Sequence, residues 1–383
     1  MRAIARSTAA ALVIFVSLAA DACPPILKKL KTDYLPEEIP NLCAAVQRYN
    51  KALKALEERG VAMPTRISDL YSPRMINPAE WEKRKDSVDY NPYIFYNPAP
   101  KTFDGWQRGA KLVAERVMKN RVTAKPEAIT LDWLRQVHSS ALDGLIGTSG
   151  SFRHHGEVGL AISTQGALTI DQADAVRSSE YKSIKDASKG IMQFTATECF
   201  EHKSAEFQQK FNEEFARTRM FNWSYWPAID AKKTYSAEDG TQKQCGYITY
   251  SDLDEVPQQM DLFLKEINGT MMSWGSEKPQ GDPILTAARA QRWFISIHPF
   301  EDGNGRMSRF LMDTVLMSVG LPAAIINDQN NDVYYTEKQW AEELGRGILR
   351  AIKTAEGCIP NPHARGCEPV SLFPPPVKPA VNQ

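Results

Sequence analysis

The stretch His298-Pro299-Phe300-Glu301-Asp302-Gly303-Asn304-Gly305-Arg306-Met307-Ser308-Arg309 carries more chemical information than any other part of the chain. It packs an imidazole, the Asp302 carboxylate, a Gly-Asn-Gly turn and two arginines into one short loop. Behind the turn, Met307, Phe310, Leu311, Thr314, Val315 and Val319 recur at helical spacing until Gly320-Leu321-Pro322 ends the pattern. A glycine-rich turn opening a helix aims several backbone N–H groups outward at the positive end of the helix dipole, a ready anion site. Arg306 and Arg309 stand three apart and share one face of the first turn, so both reach the same anion. Singly, each feature has a plain reading: a packing histidine, an ordinary turn, a solvated basic face. Together they predict phosphate-transfer chemistry.

Working outward, Pro283–Ile297 reads as a helix entering the loop, with Leu285, Ala288, Phe294 and Ile297 apolar. Thr130 is a candidate cap for a helix carrying Leu131, Leu134, Val137 and Leu142. Tyr247-Ile248-Thr249-Tyr250 has strand character.

The loop resembles the signature of the Fic family, His-Pro-Phe-x-Asp/Glu-Gly-Asn-Gly-Arg-x-x-Arg, with every specified position matched. The resemblance implies a mainly α fold, a Fic helical bundle with a small β-hairpin flap. It further implies transfer of AMP from ATP to a Ser, Thr or Tyr hydroxyl of a target protein. His298 would be the general base, a role suited to an imidazole titrating near neutrality. Asp302 would hold Mg²⁺, a hard ion that takes one or two carboxylates plus phosphate oxygens. The N–H groups of Gly303, Asn304 and Gly305 would cradle the inner phosphates; Arg306 would pair with the β-phosphate and Arg309 with the γ-phosphate. Phe300 would anchor this nucleotide loop in the core.

The flanks carry weaker resemblances. Gly150-Ser-Phe-Arg153, with Val158 and Ile162 beyond, looks like the family's Gly-x-x-Arg segment; Arg153 is expected as a buried ion-pair partner and His138 as a structural residue. Residues 254–268 resemble the helix after the target-binding flap, which puts the flap at 242–250. Tyr247, Ile248 and Tyr250 would then meet a target peptide by strand addition, with a plain structural hairpin as the alternative. Between Arg153 and His298 lie 144 residues, more than the family core needs. The surplus is expected at about 165–245, including a charged helical run at 205–220 and an aromatic cluster at 221–226. Many family members carry an inhibitory Ser/Thr-x-x-x-Glu-Gly/Asn motif. Glu356-Gly357 is the one Glu-Gly or Glu-Asn pair here, and Ile352 stands where Ser or Thr is needed. That leaves an uninhibited enzyme, a partner that supplies the glutamate, Glu356 acting from another helix face, or a simple glycine cap.

Residues 1–22 satisfy the physical criteria of a secretory signal: Arg2 and Arg6, an apolar run from Ala9 to Ala20, and the small-x-small Ala20-Asp21-Ala22. Twelve apolar residues fall short of a bilayer span, so no transmembrane anchor is expected. A lipoprotein reading through Cys23 fits less well than a secreted or periplasmic protein. Export and an even count argue that Cys23, Cys43, Cys199, Cys245, Cys358 and Cys367 form disulfides. The most local connectivity of the 15 possible is Cys23–Cys43, Cys199–Cys245 and Cys358–Cys367.

Net charge is zero, and loss of Arg2, Arg6 and Asp21 moves it only to −1, which argues against a nucleic-acid polymer as partner. The organisation expected is a signal (1–22), a helical extension (23–125), a Fic domain with its insertion (126–356), and a disulfide loop with a Pro-rich tail (357–383). The extension should hold a helix at about 38–59, an irregular stretch at 71–100 and a helix near 103–120. Two other functions stay open: a Fic enzyme that uses another donor (UMP, phosphocholine, phosphate) or removes AMP, and a non-catalytic nucleotide-binding module.

Overall fold

The computed structural model describes residues 23, 25–58, 105, 108–117, 127–143, 146–156, 158–161, 166–218, 228–229, 233–237, 240–326 and 331–358. The sequence expectations at 1–22, 71–100 and 221–226, at Cys367 and in the tail lie outside them.

Helices dominate: α1 (Leu42–Glu58), α2 (Leu131–Leu142), α3 (Ile170–Arg177), α4 (Ala205–Thr218), α5 (Val256–Ser273), α6 (Pro283–Ile297), α7 (Asn304–Ser318), α8 (Asn331–Tyr334) and α9 (Glu337–Cys358). Residues 108–117 are helical too. The starts follow local chemistry. Thr130 accepts from the Trp133 N–H at 3.2 Å, and Asp282 accepts from Ile284 and Leu285 at 2.8 and 3.2 Å ahead of Pro283. The first helix begins at Leu42 rather than at about 38, because Asn41 caps it through the Ala44 N–H at 2.9 Å.

The core is built around α7, which packs on α6; α6 in turn contacts α5 and α9. Phe263, Phe294, Phe300, Phe310, Trp274 and Trp340 are fully buried there. The sequence pattern marks one apolar face on α7, but the helix is buried nearly all round, from Met307 to Met317. Two of its hydroxyls are satisfied within the helix: Thr314 donates to the Phe310 carbonyl at 2.7 Å and Ser308 to the Gly305 carbonyl at 3.0 Å. Leu42, Val46 and Tyr49 of α1 join this same core, where α1 lies against α9.

The strands depart from a simple hairpin. β1 (Val158–Ala161), β3 (Gln193–Ala196) and β6 (Gly246–Thr249) form one antiparallel sheet in the order β1-β6-β3. β2 (Leu168–Thr169), β4 (Tyr235–Ser236) and β5 (Gln242–Gln244) form a second, in the order β2-β5-β4. Residues 242–250 are therefore split between two sheets at Cys245, which is bonded to Cys199. Gly246 is needed at that split: a Cβ there would lie 2.3 Å from the Thr195 carbonyl oxygen. The surplus residues between β1 and β6 form a small core of Leu168, Val176, Met192 and Phe194 together with Ile248 of β6. The Cys23–Cys43 bond is present as well.

Candidate active site

Helix α6 ends on His298, whose backbone is left-handed (φ 51°), the one non-glycine residue with positive φ among the described residues. Two local causes converge. Pro299 disfavours the helical conformation for the residue before it, and Arg153 holds the turned-out carbonyl, its Nε donating to the His298 oxygen at 2.6 Å. The same guanidinium donates to the His155 carbonyl at 2.8 Å and to the Ser251 carbonyl. Arg153 is buried as expected, and its guanidinium binds three backbone carbonyls. The Arg153 N–H also donates to the Pro299 carbonyl at 2.9 Å, so 150–153 runs as a splint along the motif loop.

The imidazole state follows from its contacts. Nδ1 lies 3.2 Å from the Ile295 carbonyl, which can only accept, so Nδ1 carries the proton and Nε2 keeps its lone pair. Burial pushes the His298 pKa down to about 4, with Arg153 adding to the fall and the Ile295 hydrogen bond and Asp302 opposing it. The ring of Tyr250 stacks on the imidazole at 4.0 Å. A neutral, oriented imidazole with a free Nε2 is a competent general base.

His138 is fully buried and structural. Its Nδ1 accepts from the Gly150 N–H at 2.7 Å, so Nε2 must be the donor to the Asp302 carbonyl at 2.9 Å. Its ring stacks on Phe300 at 3.8 Å, and burial lowers its pKa. Phe300 is fully buried, as an anchor should be.

The turn that follows is closed by Asn304. Its Oδ1 accepts from the Phe300 N–H at 3.0 Å, and its Nδ2 donates to the Phe300 carbonyl at 2.7 Å. Gly303 caps α7 with φ 75°, and a Cβ on it would meet Leu142 at 2.5 Å, so glycine is required twice over. The Gly303 N–H is already taken by the Asp302 carboxylate at 2.6 Å. The helix-terminal donors left for an anion start at Asn304, not Gly303.

Arg306 supplies an independent sign of a ligand. Its Nη1 is buried without a hydrogen-bond partner among the described residues, and burial lowers its pKa while Asp302 raises it. A desolvated guanidinium N–H beside a helix N-terminus fits a phosphate oxygen. Asp302 is exposed at the loop's edge. Among the described residues no group of three or more His, Cys, Asp or Glu is arranged to hold a metal. A lone exposed carboxylate suits Mg²⁺ when phosphate oxygens complete the shell.

The expected flap needs correction. Both edges of β6 are already paired, by β1 and by β3, so Tyr247, Ile248 and Thr249 offer no free edge for strand addition. Ile248 is buried in the insertion core, while the Tyr250 ring stacks on the His298 imidazole. Glu356 forms a bidentate pair with Arg48 at 2.5 and 2.7 Å. The glycine-cap reading is also corrected: α9 runs through Gly357 to Cys358.

Residues 225–316 match the model of the Fic/DOC family. A protein adenylyltransferase Fic from Aedes aegypti is 49% identical over 61 residues, covering 16% of this chain and 12% of the relative. Its counterpart from Drosophila melanogaster is 48% identical over 61 residues, with the same two coverages. The chain thus matches only about an eighth of the length of these curated relatives. Among solved structures, a Fic domain containing signaling protein from Bacteroides thetaiotaomicron is similar with a TM-score of 0.41 and 12% identity, over 82% of this chain and 98% of that one. Fic-1 from C. elegans reaches a TM-score of 0.40 and 13% identity, over 82% and 72%. Residues 225–316 are thus similar to the Fic/DOC family, and the twelve-residue loop lies inside the matched residues.

Proposed function

We propose that this protein transfers AMP from ATP to a Ser, Thr or Tyr hydroxyl of a target protein. The observation that carries the reading is His298: an imidazole with Nδ1 tied to a carbonyl and Nε2 free, at the mouth of an anion-binding helix start. In this reading Nε2 takes the proton of the incoming hydroxyl as its oxygen attacks the α-phosphorus and pyrophosphate leaves. The N–H groups from Asn304 onward and Arg306 receive the phosphate charge, which matters most where charge builds during transfer. Asp302 would hold Mg²⁺ together with those phosphates, and the ion would neutralise the leaving diphosphate. Arg309, one turn further along α7, takes the outermost phosphate.

Residues 126–356 are the catalytic unit in this proposal, with 23–125 as an extension whose described residues, Leu42, Val46 and Val113 among them, share its core. Export is part of it too. The two disulfides support an oxidising compartment, and no described helix is long and apolar enough to cross a membrane. A secreted or periplasmic enzyme needs a nucleotide-containing setting in which to act.

Incubation with labelled ATP, Mg²⁺ and cell lysates tests the reading. Wild type should label itself or a target, and His298→Ala should lose about 10²–10⁴-fold, the usual worth of a general base. Equal labelling by the two proteins would remove His298 from the mechanism. Nucleotide binding without transfer in any lysate would favour a binding module instead.

A further inference from the structure

Tyr250 stands where the insertion meets the motif loop. It follows β6 directly, and its side chain packs against the insertion core that holds Phe194 and Ile248. It also lies on His298: the two rings stack with centroids 4.0 Å apart and planes 28° from parallel. The phenol end passes over β1, where a Cβ on Gly159 would lie 2.9 Å from the Tyr250 Oη. The backbones that carry the two rings are tied together. Arg153 donates to the His298 carbonyl and to the Ser251 carbonyl, and the Ser251 N–H donates to the Ser296 carbonyl of α6 at 3.3 Å.

The imidazole is held more lightly than its backbone. Among the described residues it makes one hydrogen bond, from Nδ1 to the Ile295 carbonyl at 3.2 Å, the long end of the usual range. The outer torsion of a histidine is broad and roughly two-fold, so that bond alone does not fix the ring plane. A stacked ring does fix it, and the Ile295 carbonyl then selects one of the two orientations within that plane. We propose that Tyr250 is a positioning residue for the base: its ring, braced by the insertion, sets the plane of the His298 imidazole so that Nε2 meets the incoming hydroxyl. The inference rests on the reading of His298 as the general base. The insertion thereby contributes a wall of the active site, through a residue that need not touch nucleotide or target. The cover on one imidazole face accords with a His298 pKa pushed down to about 4 by burial, with Arg153 and Asp302 as the charged groups that face it. A misplacement of about 1 Å at such a group costs on the order of 10²-fold in rate, so a loosened ring should be felt in kcat.

Nitrogen NMR of the full chain, labelled at its six histidines, tests this without any transfer reaction. Wild type should show His298 as a single Nδ1–H tautomer, assigned by its loss in His298→Ala. Tyr250→Phe should leave that signal in place, and Tyr250→Ala should move it toward the tautomer mixture of a free imidazole. His138, protonated on Nε2 and bonded to the motif loop, should stay unchanged and so reports an intact fold. Should Tyr250→Ala disturb His138, Gly159→Ala decides instead: it presses on Oη and should shift His298 alone. In the labelled-ATP assay Tyr250→Ala should lose about tenfold in kcat, the upper worth of an aromatic stack, with the KM for ATP within about threefold. An unchanged His298 signal in Tyr250→Ala overturns the inference. So does a Tyr250→Phe protein as impaired as Tyr250→Ala, which would assign the role to the hydroxyl. In both cases the transfer reading stands. Wild-type protein that labels nothing overturns that reading, and the NMR comparison still decides what holds the ring.

Discussion

A histidine at φ 51° costs on the order of 1–2 kcal/mol relative to the ordinary regions, and charge-assisted hydrogen bonds of about 1.5–3 kcal/mol each are enough to offset it. At His298 that offset comes from Arg153, which grips the strained carbonyl and two others. Arg153→Ala should therefore lose transfer activity through geometry, with stability down by about 2–4 kcal/mol. Thermal melts and nucleotide titration separate the effects: nucleotide affinity should fall less than kcat. The depressed pKa of His298 has its own consequence. The folded group titrates near 4 and the unfolded one near 6.5, so its contribution to stability is complete above about 6.5 and is lost as pH falls toward 4. The acid limb of the kcat–pH profile should lie close to 4; a limb at 6.5 would mean the working imidazole is solvated. The residue identities in the loop were legible because each needs a particular side chain. The left-handed turn was not, although Pro299 hinted at it, because the holding contact comes from Arg153, far away in sequence.

The helices entering and leaving the loop show how far local pattern reaches. Thr130, Asp282 and Pro283 give their starts away, since a cap depends only on neighbours within one turn. The position of α7 at the centre of the bundle did not show in its periodicity, because Asp313 and Thr314 are polar yet buried. The flap was misread for a related reason. Strand character at 247–250 is local, but which strands flank β6 is decided by β3, some fifty residues away. The Cys199–Cys245 bond closes a 46-residue separation inside the insertion. Loop-closure entropy puts its worth at about 4 kcal/mol, and Cys199→Ala with Cys245→Ala should lose about that much locally. Hydrogen exchange should show the insertion opening while protection in α6 and α7 is kept.

Across the whole molecule, α1 and α9 close the bundle on the side joined by Arg48 and Glu356. Both side chains are about a third exposed, so water screens the pair and it is worth no more than about 1 kcal/mol. Glu356→Ala should shift Tm by a few degrees at most and leave the proposed AMP transfer unchanged. A large gain in rate would reveal a gate at the end of α9. The path of the chain around the first sheet also bears on size. Ala161, the last residue of β1, and Gly246, the first of β6, are paired across the ladder, so residues 162–245, which also give the sheet its β3, depart and return one strand spacing apart. The entropy of holding such ends together grows only with the logarithm of the length between them, about 0.6 kcal/mol per doubling. The bundle below is therefore almost indifferent to how large a structure is carried there, and excursions of very different length could be spliced into that rung at nearly the same thermodynamic cost.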